Sequence, residues 1–319
     1  MVERASMKSL DIVTSAYNEE ECLPELFRRL DEVLSKELEY VYRVIITDNG
    51  SMDNTWGVIQ EAQNYKLKIH GIKLSRNFSL DAALTCGLDN ATADLVIIMT
   101  SDLQDPPEAI PQLLRKYEQG YDQVLVKIVK RDSVPLLRRI LSGLFYKIAS
   151  VMTSGLLPKS VSDFRLVSRR AYESIRQLRE SHRFLRGLGA WVGFRTTEIE
   201  VVRPPRFAGE SKWLGTSLFK VIGLASRSIL AYSAQPLAWV SSLGVFMSIF
   251  SLALIVGLSI FWIVAGVPFA GFGSLVGIMV LGFSLIMLCI GILAQYLGLI
   301  YEEVKQRPLY LISETSKSD

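Results

Sequence analysis

The densest group of side chains able to do chemistry is Asp102-Leu103-Gln104-Asp105-Pro106-Pro107-Glu108, directly after the apolar run Leu95 to Thr100. Oxygen donors crowded onto a tight loop at a strand end suit a hard cation such as Mg2+ or Mn2+. A cation held there would neutralise charge building on a departing diphosphate. Helix capping by Asp105 ahead of Pro106 is the competing assignment, and it leaves Asp102 and Gln104 without a role.

Two further loops are more polar than a turn requires, Tyr17 to Glu21 and Asp48 to Asp53. Gly50 can complete a turn that Asp48 and Asn49 begin, and Tyr17 can be a packed aromatic, so each loop alone stays open to a structural reading. Asp163, followed by Phe164 and Arg165, reads as part of a loop between two helical patterns. An ion pair with Arg165 or Arg169 is the plain alternative to a catalytic part for it. Arg138 and Ser142 stand one helical turn apart and can face one phosphate. Arg206, Ser211 and Lys212 flank Gly209, whose missing side chain permits close approach to phosphate oxygens. Attraction to anionic headgroups, about 1 kcal/mol per residue, is the alternative for these cations. His70 and His182 show neither ligand nor triad spacing.

The elements that must hold these loops are short apolar runs alternating with amphipathic ones. Leu10 to Ala16, Val41 to Thr47, Leu67 to Leu74, Leu95 to Thr100, Val124 to Val129 and Thr196 to Val202 read as strands. Glu20 to Leu34, Thr55 to Asn64, Ser79 to Asp89, Pro107 to Gln119 and Leu136 to Met152 read as helices. Such alternation implies an α/β fold, with a mostly parallel sheet covered on both faces. Ligands of such sheets bind beyond the carboxyl ends of the strands, which is where the three polar loops fall.

A second regime begins after Arg227. From Ser228 to Tyr301 there is no Asp, Glu, Lys or Arg. One bilayer crossing needs roughly 20 apolar residues, so the stretch divides into two spans, about 237–265 and 272–297, around Gly266, Pro268 and Gly271. Lys220 and Arg227 before it, with Lys305 and Arg307 after it, predict a hairpin whose flanks stay cytosolic. Lys212 to Ala234 has the mixed pattern of interfacial amphipathic helices. Glu3, Arg4 and Lys8 exclude a signal-peptide reading of the first residues. Cys22, Cys86 and Cys289 lack metal spacing and are read as reduced thiols. The net charge of +3 gives no nucleic-acid footprint and suits anionic lipid.

Taken in order, Ala16-Tyr17-Asn18-Glu19-Glu20, Asp48 to Asp53, Leu74-Ser75-Arg76-Asn77-Phe78, Asp102 to Glu108, Asp163-Phe164-Arg165-Leu166 and Arg203 to Lys212 carry a family likeness. They resemble the polyisoprenyl-phosphate glycosyltransferases of glycosyltransferase family 2, the group of dolichol-phosphate mannose synthases and bacterial undecaprenyl-phosphate glucosyltransferases. The resemblance implies a Rossmann-like GT-A domain over 1–211, interfacial helices over 212–235, a transmembrane hairpin over 236–300 and a cytosolic tail over 301–319. It implies that Ser15, Tyr17, Glu19, Asp48, Asn49 and Asp102 surround a nucleotide-sugar, and that Asp102 and Gln104 hold Mg2+ or Mn2+. Arg138, Ser142, Arg206, Ser211 and Lys212 would meet the acceptor phosphate and the diphosphate.

The family counterpart of Asp163 is the usual candidate for a catalytic base. A phosphate monoester with a second pKa of about 6 is already an anion, so Asp163 is expected to orient the acceptor more than deprotonate it. Asn49 and Thr100 stand where the family usually has acidic residues. The implied reaction is inverting transfer of a hexose, glucose from UDP-glucose as the first choice, to a polyisoprenyl phosphate such as undecaprenyl phosphate. Implied partners are the membrane, a second copy of the chain, and a flippase or downstream glycosyltransferase. A processive polysaccharide synthase is a rival, though the Gln-x-x-Arg-Trp signature is absent and two spans are few for a pore. A non-catalytic nucleotide-sugar-binding scaffold is another, motivated by Asn49 and Thr100.

Overall fold

The alternating pattern becomes, in a computed structural model of the chain, a twisted sheet covered by helices on both faces. The structure describes residues 7–37, 39–62, 67–129, 161–181, 183–208, 235–265 and 272–316. They belong to two units, Met1–Val221 with Pro308–Asp319, and Ile222–Arg307.

In the first unit β1 (Lys8–Ala16), β2 (Tyr40–Asp48), β3 (Ile69–Leu74) and β4 (Leu95–Thr100) are parallel. Between them lie α1 (Leu23–Leu34), α2 (Thr55–Glu61) and α3 (Leu80–Asp89). A single 3-10 turn, Pro107–Ala109, leads into α4 (Ile110–Glu118) and β5 (Gln123–Ile128). After β6 (Val161–Ser168) come α5 (Arg169–Gln177), α6 (Leu185–Trp191) and β7 (Thr196–Val201). With β8 (Ile312–Thr315), the strand order is β7-β5-β6-β4-β1-β2-β3-β8, and β6 and β8 run antiparallel to their neighbours.

Burial explains the composition. β1 is buried from Leu10 to Ala16, as a strand covered on both faces must be. In α1, Leu23, Leu26, Phe27, Leu30 and Leu34 recur at three- and four-residue steps and are all buried. Pro24 sits in the first turn, where its missing N–H costs no bond. These side chains pack with Ile12, Ile46, Ile97, Phe164 and Leu113 into one cluster.

Two elements differ from the sequence reading. Asp163 lies on strand β6 rather than in a loop. The strand was hidden because Asp163 and Arg165 occupy alternate positions on one of its faces, where apolar residues would normally announce it. The chain's end is the second. Read from the sequence only as a tail over 301–319, it adds β8 to the exposed flank of β3, pairing Ile72 with Thr315 and Lys73 with Glu314. Ser316 closes the join: its N–H reaches the Gly71 carbonyl at 2.8 Å, and its hydroxyl accepts the Gly71 N–H at 2.7 Å. Trp56 Nε1 donates to Glu314 and the Tyr310 hydroxyl to Asp89.

The second unit contains α7 (Gln235–Ala265) and α8 (Phe272–Val304). Within α8, Leu281–Val304 is long and apolar enough to cross a membrane, and none of it is buried. α8 runs seven residues past the expected span end at 297. The expected turn at 266–271 and the interfacial helices of 212–234 lie outside the described residues.

The Gly71 N–H is buried, so Ser316→Ala strands it without its acceptor. The expected loss is about 1–3 kcal/mol, read as a lower unfolding midpoint of the detergent-solubilised chain.

Candidate active site at the carboxyl edge

Because β1, β2, β3 and β4 are parallel, the loops that follow them emerge on one edge of the sheet. β6 runs the other way, and its pairing of Arg165 with Ile98 continues to set Asp163 level with Thr100 at that edge. β5 and β7 end there too. Asp48, Asp102, Asp163 and the segment after Val201 are therefore brought together by strand direction.

The loops are then stitched to one another. Asn18 takes a left-handed conformation (φ 51°); its N–H reaches Ser51 Oγ and its Oδ1 accepts the Met52 N–H, each at 2.9 Å. The Glu19 N–H donates to Thr55 Oγ1 at 2.8 Å. Gly50 (φ 72°) lies so close to the β3 loop that a Cβ there would stand 2.5 Å from the Arg76 carbonyl carbon. No side chain fits that position. Asn49, 4% exposed, joins the same two loops through its amide: Oδ1 accepts the Phe78 N–H at 3.0 Å and Nδ2 donates to the Ser79 carbonyl at 3.1 Å. That needs a donor and an acceptor on one side chain, which a carboxylate lacks.

Asp48 is fully buried. Its Oδ1 accepts the Ser51 N–H at 2.9 Å, while Oδ2 has no partner. Ser15 is buried beside it, its carbonyl accepting the Ser101 hydroxyl at 2.8 Å, and Tyr17 is half-buried at the start of the next loop.

In the Asp102 loop the turn is made by Leu103 at φ 59°. Asp102 Oδ1 accepts the Gln104 N–H at 3.2 Å and lies 2.9 Å from the Thr100 hydroxyl. Asp105 does not cap a helix. Its Oδ2 accepts the Thr100 N–H at 3.0 Å and lies 2.8 Å from the Thr100 hydroxyl, while its Oδ1 takes the Ser162 hydroxyl at 3.1 Å and Arg203 at 3.5 Å. The single Thr100 proton is thus shared between two carboxylates. An acidic side chain at position 100 would face Asp105 with nothing between them, so Thr100 is the complement of Asp105. Burial pushes the Asp105 carboxyl up, opposed by Arg203 and Thr100.

Among the described residues no three His, Cys, Asp or Glu side chains form a metal cage. Asp102 and Gln104 nevertheless present half-buried oxygen donors on one tight turn. Such a set suits a cation that completes its shell with substrate phosphates.

The expected cations are placed unevenly. Arg206 is bound to Glu19, 7% exposed, and its Nε donates to the Ala208 carbonyl at 2.8 Å. Two residues assigned to different ligand groups are thus each other's partners, and an anion arriving here competes with Glu19 for Arg206. Arg138, Ser142, Ser211 and Lys212 lie outside the described residues. Asp163 pairs with neither Arg165 nor Arg169. Arg186, from α6, binds both of its oxygens, Nε to Oδ1 at 2.6 Å and Nη2 to Oδ2 at 2.9 Å. Arg169 instead donates to the carbonyls of Thr92 and Ala93.

Arg186 and Asp81 were not singled out in the sequence, and Arg203 entered only as the start of a motif without its partner Asp105, since partners distant along the chain leave no spacing. Asp81 opens α3 and accepts the Leu185 N–H at 3.0 Å. Burial, with Asp163 adding a smaller repulsion, raises its pKa to about 6.

This edge, with polar loops beyond a parallel Rossmann-like sheet, defines the nucleotide-binding α/β class and its GT-A form. Residues 11–176 match the family described as glycosyl transferase family 2, and the chain belongs to it. It is similar to an uncharacterised glycosyltransferase of Synechocystis, 39% identical over 96% of this chain and 95% of that one. It is also similar to the SfII prophage-derived bactoprenol glucosyl transferase of Shigella flexneri, 35% identical over 97% and 99%. A prophage bactoprenol glucosyl transferase homolog of Escherichia coli is likewise 35% identical, over 97% and 99%. The two bactoprenol relatives support the undecaprenyl-phosphate glucosyltransferase branch that the motifs indicated.

Asn49→Asp removes the donor to Ser79 and sets a carboxylate against a carbonyl. A destabilisation of about 1–3 kcal/mol is expected in thermal unfolding. Asp81 carries a raised folded pKa, so its stabilising share is complete below about pH 4 and lost as pH rises through about 6. Asp81→Asn, which keeps the acceptor for Leu185, should therefore melt above the parent at pH 8 and show no such advantage at pH 4.

Proposed function

We propose that this chain is an inverting, membrane-anchored glycosyltransferase that moves a hexose from a nucleotide-sugar to a polyisoprenyl phosphate. The observation that carries the reading is where the apolar helices attach. β7, the last strand before α7 in the chain, ends at the carboxyl edge, and β8, following α8 in the chain, begins at that same edge because it is antiparallel to β3. Both chain links to the apolar unit thus leave from the edge that bears Asp48, Asp102 and Asp163. Met52, Leu80, Val129, Val202 and Phe207, in or beside the loops there, are exposed apolar side chains, as a lipid-facing rim requires.

The lipid phosphate oxygen attacks the anomeric carbon, the bond from that carbon to the donor's diphosphate breaks, and the nucleoside diphosphate leaves from the opposite face. A divalent cation held by Asp102 and Gln104 would supply charge neutralisation to that leaving group. Asp48 and Ser15 line the nucleotide end, with the Asp48 oxygen that lacks a protein partner as an acceptor for donor hydroxyl or base N–H groups. Arg203 and Arg206 stand on the segment nearest the diphosphate. The bactoprenol glucosyl transferase relatives favour glucose as the sugar and undecaprenyl phosphate as the acceptor, and UDP as the donor nucleotide is the first choice. In this reading residues 1–211 are the cytosolic catalytic domain, 212–235 lie in the membrane interface, and 236–300 form a hairpin of two spans. The tail over 301–319 remains cytosolic.

Purified chain incubated with labelled nucleotide-sugars, Mg2+ or Mn2+ and polyprenyl phosphate should yield a lipid-linked sugar with one donor. Asp102→Ala should abolish that product and leave the unfolding midpoint near the parent's. Polymer formed without lipid, or donor binding without any product, would sink the reading.

A further inference from the structure

We propose that Arg186 binds the acceptor's phosphate and that Asp163 serves as the positioning residue that aims it. This deepens the function proposed above and rests on it for the nature of the acceptor.

The geometry begins with the fork between the two side chains. Asp163 offers both oxygens to Arg186, and the side chains are 13% and 33% exposed respectively. The carboxylate is the more enclosed partner and the arginine side chain the more exposed one, and the pair stands at the end of β6 that lies on this edge. A carboxylate with both oxygens taken by a guanidinium is poorly placed to remove a proton, and a lipid phosphate that is already an anion asks for none.

Everything around Arg186 restrains it. Leu185 is anchored to Asp81 through its N–H at 3.0 Å. Gln123 Nε2 donates to the Gly189 carbonyl at 2.9 Å, and a Cβ on Gly189 would meet Arg165 Nη1 at 2.7 Å, so α6 lies close against β5 and β6. The Arg186 guanidinium also sits 5.5 Å from the centre of the Phe184 ring. A planar fork held this way matches phosphate oxygens in direction as well as charge.

Arg165 and Asp81 stand behind the pair. Arg165 is 2% exposed and its donors go to the carbonyls of Ser162 and Asp163, so it holds the backbone of β6 and does not reach the edge. Two acids gathered with the buried Arg165 and the partly exposed Arg186 at the end of a sheet are a costly arrangement, and packed apolar side chains would serve stability at least as well. Register places the group beside Thr100 and the Asp102 loop, where an acceptor must stand to reach the sugar.

The test uses the full-length detergent-solubilised chain and a short-chain polyprenyl phosphate, with binding measured without any donor. Arg186→Gln is expected to weaken lipid-phosphate binding at least about tenfold, and to leave polyprenol without phosphate and nucleotide-sugar binding unchanged. Arg186→Lys should restore part of the loss. Asp163→Asn should weaken lipid-phosphate binding less, and in turnover should raise acceptor KM more than it lowers kcat. Unchanged lipid-phosphate binding in Arg186→Gln overturns the inference, as does equal loss of nucleotide-sugar binding. Parent chain that binds the lipid phosphate but transfers no sugar fails the proposed function instead, and the binding comparison still decides the part played by Arg186.

Discussion

Strand direction is the constraint on which the rest depends. A loop that follows a parallel strand has no choice of edge, so β1, β2 and β4 carry Tyr17, Asp48 and Asp102 to the same place before any specific contact forms. The reversed β6 contributes from its beginning what its neighbours contribute from their ends. Had β6 been parallel to β4, Asp163 would start the strand on the far side of the sheet, about 20 Å away for a strand of that length.

The acids gathered at this edge each received a different answer to burial. Asp105 is met by Arg203 and Thr100, Asp163 by Arg186 and Glu19 by Arg206. Asp48 keeps one oxygen without a protein partner. Away from the edge, Asp11 is satisfied by Arg43 and by the N–H groups of Thr92 and Ala93, which is structural bonding with nothing left over. The contrast is informative. Asp11 takes two backbone donors beside Arg43, whereas the side chains of Asp163 and Glu19 at the carboxyl edge are paired with arginines from distant segments, the kind of group that also answers an anionic ligand.

Strand and helix positions in the first 130 residues were legible because buried parallel strands read as continuous apolar runs and their helices as three- and four-residue stripes. β4 falls at Leu95–Thr100, as its apolar run indicated. β6 was not legible, since one of its faces carries Asp163 and Arg165 and so imitates a polar loop. The loops of the site were legible as polar excess after each strand, but their pairings were not. Asn49 looked like a weakened acidic ligand and is an amide brace between two loops; Thr100 looked like a lost carboxylate and is matched to Asp105 five residues on. Arg186, Arg203 and β8 depend on contacts between residues far apart in the chain, which no local pattern records.

The position of β8 has a consequence for the order of assembly. It follows α8 in the chain, so the strand that covers β3 emerges from the ribosome after both apolar helices. Until then the flank of β3 carries unpaired backbone groups, the kind of edge on which chains aggregate. The carboxyl edge can already be built while the sheet is still open beside it. Closing that flank makes a late-made segment a check on an earlier one, and a chain cut short among its apolar helices keeps an open edge that a chain with β8 in place lacks.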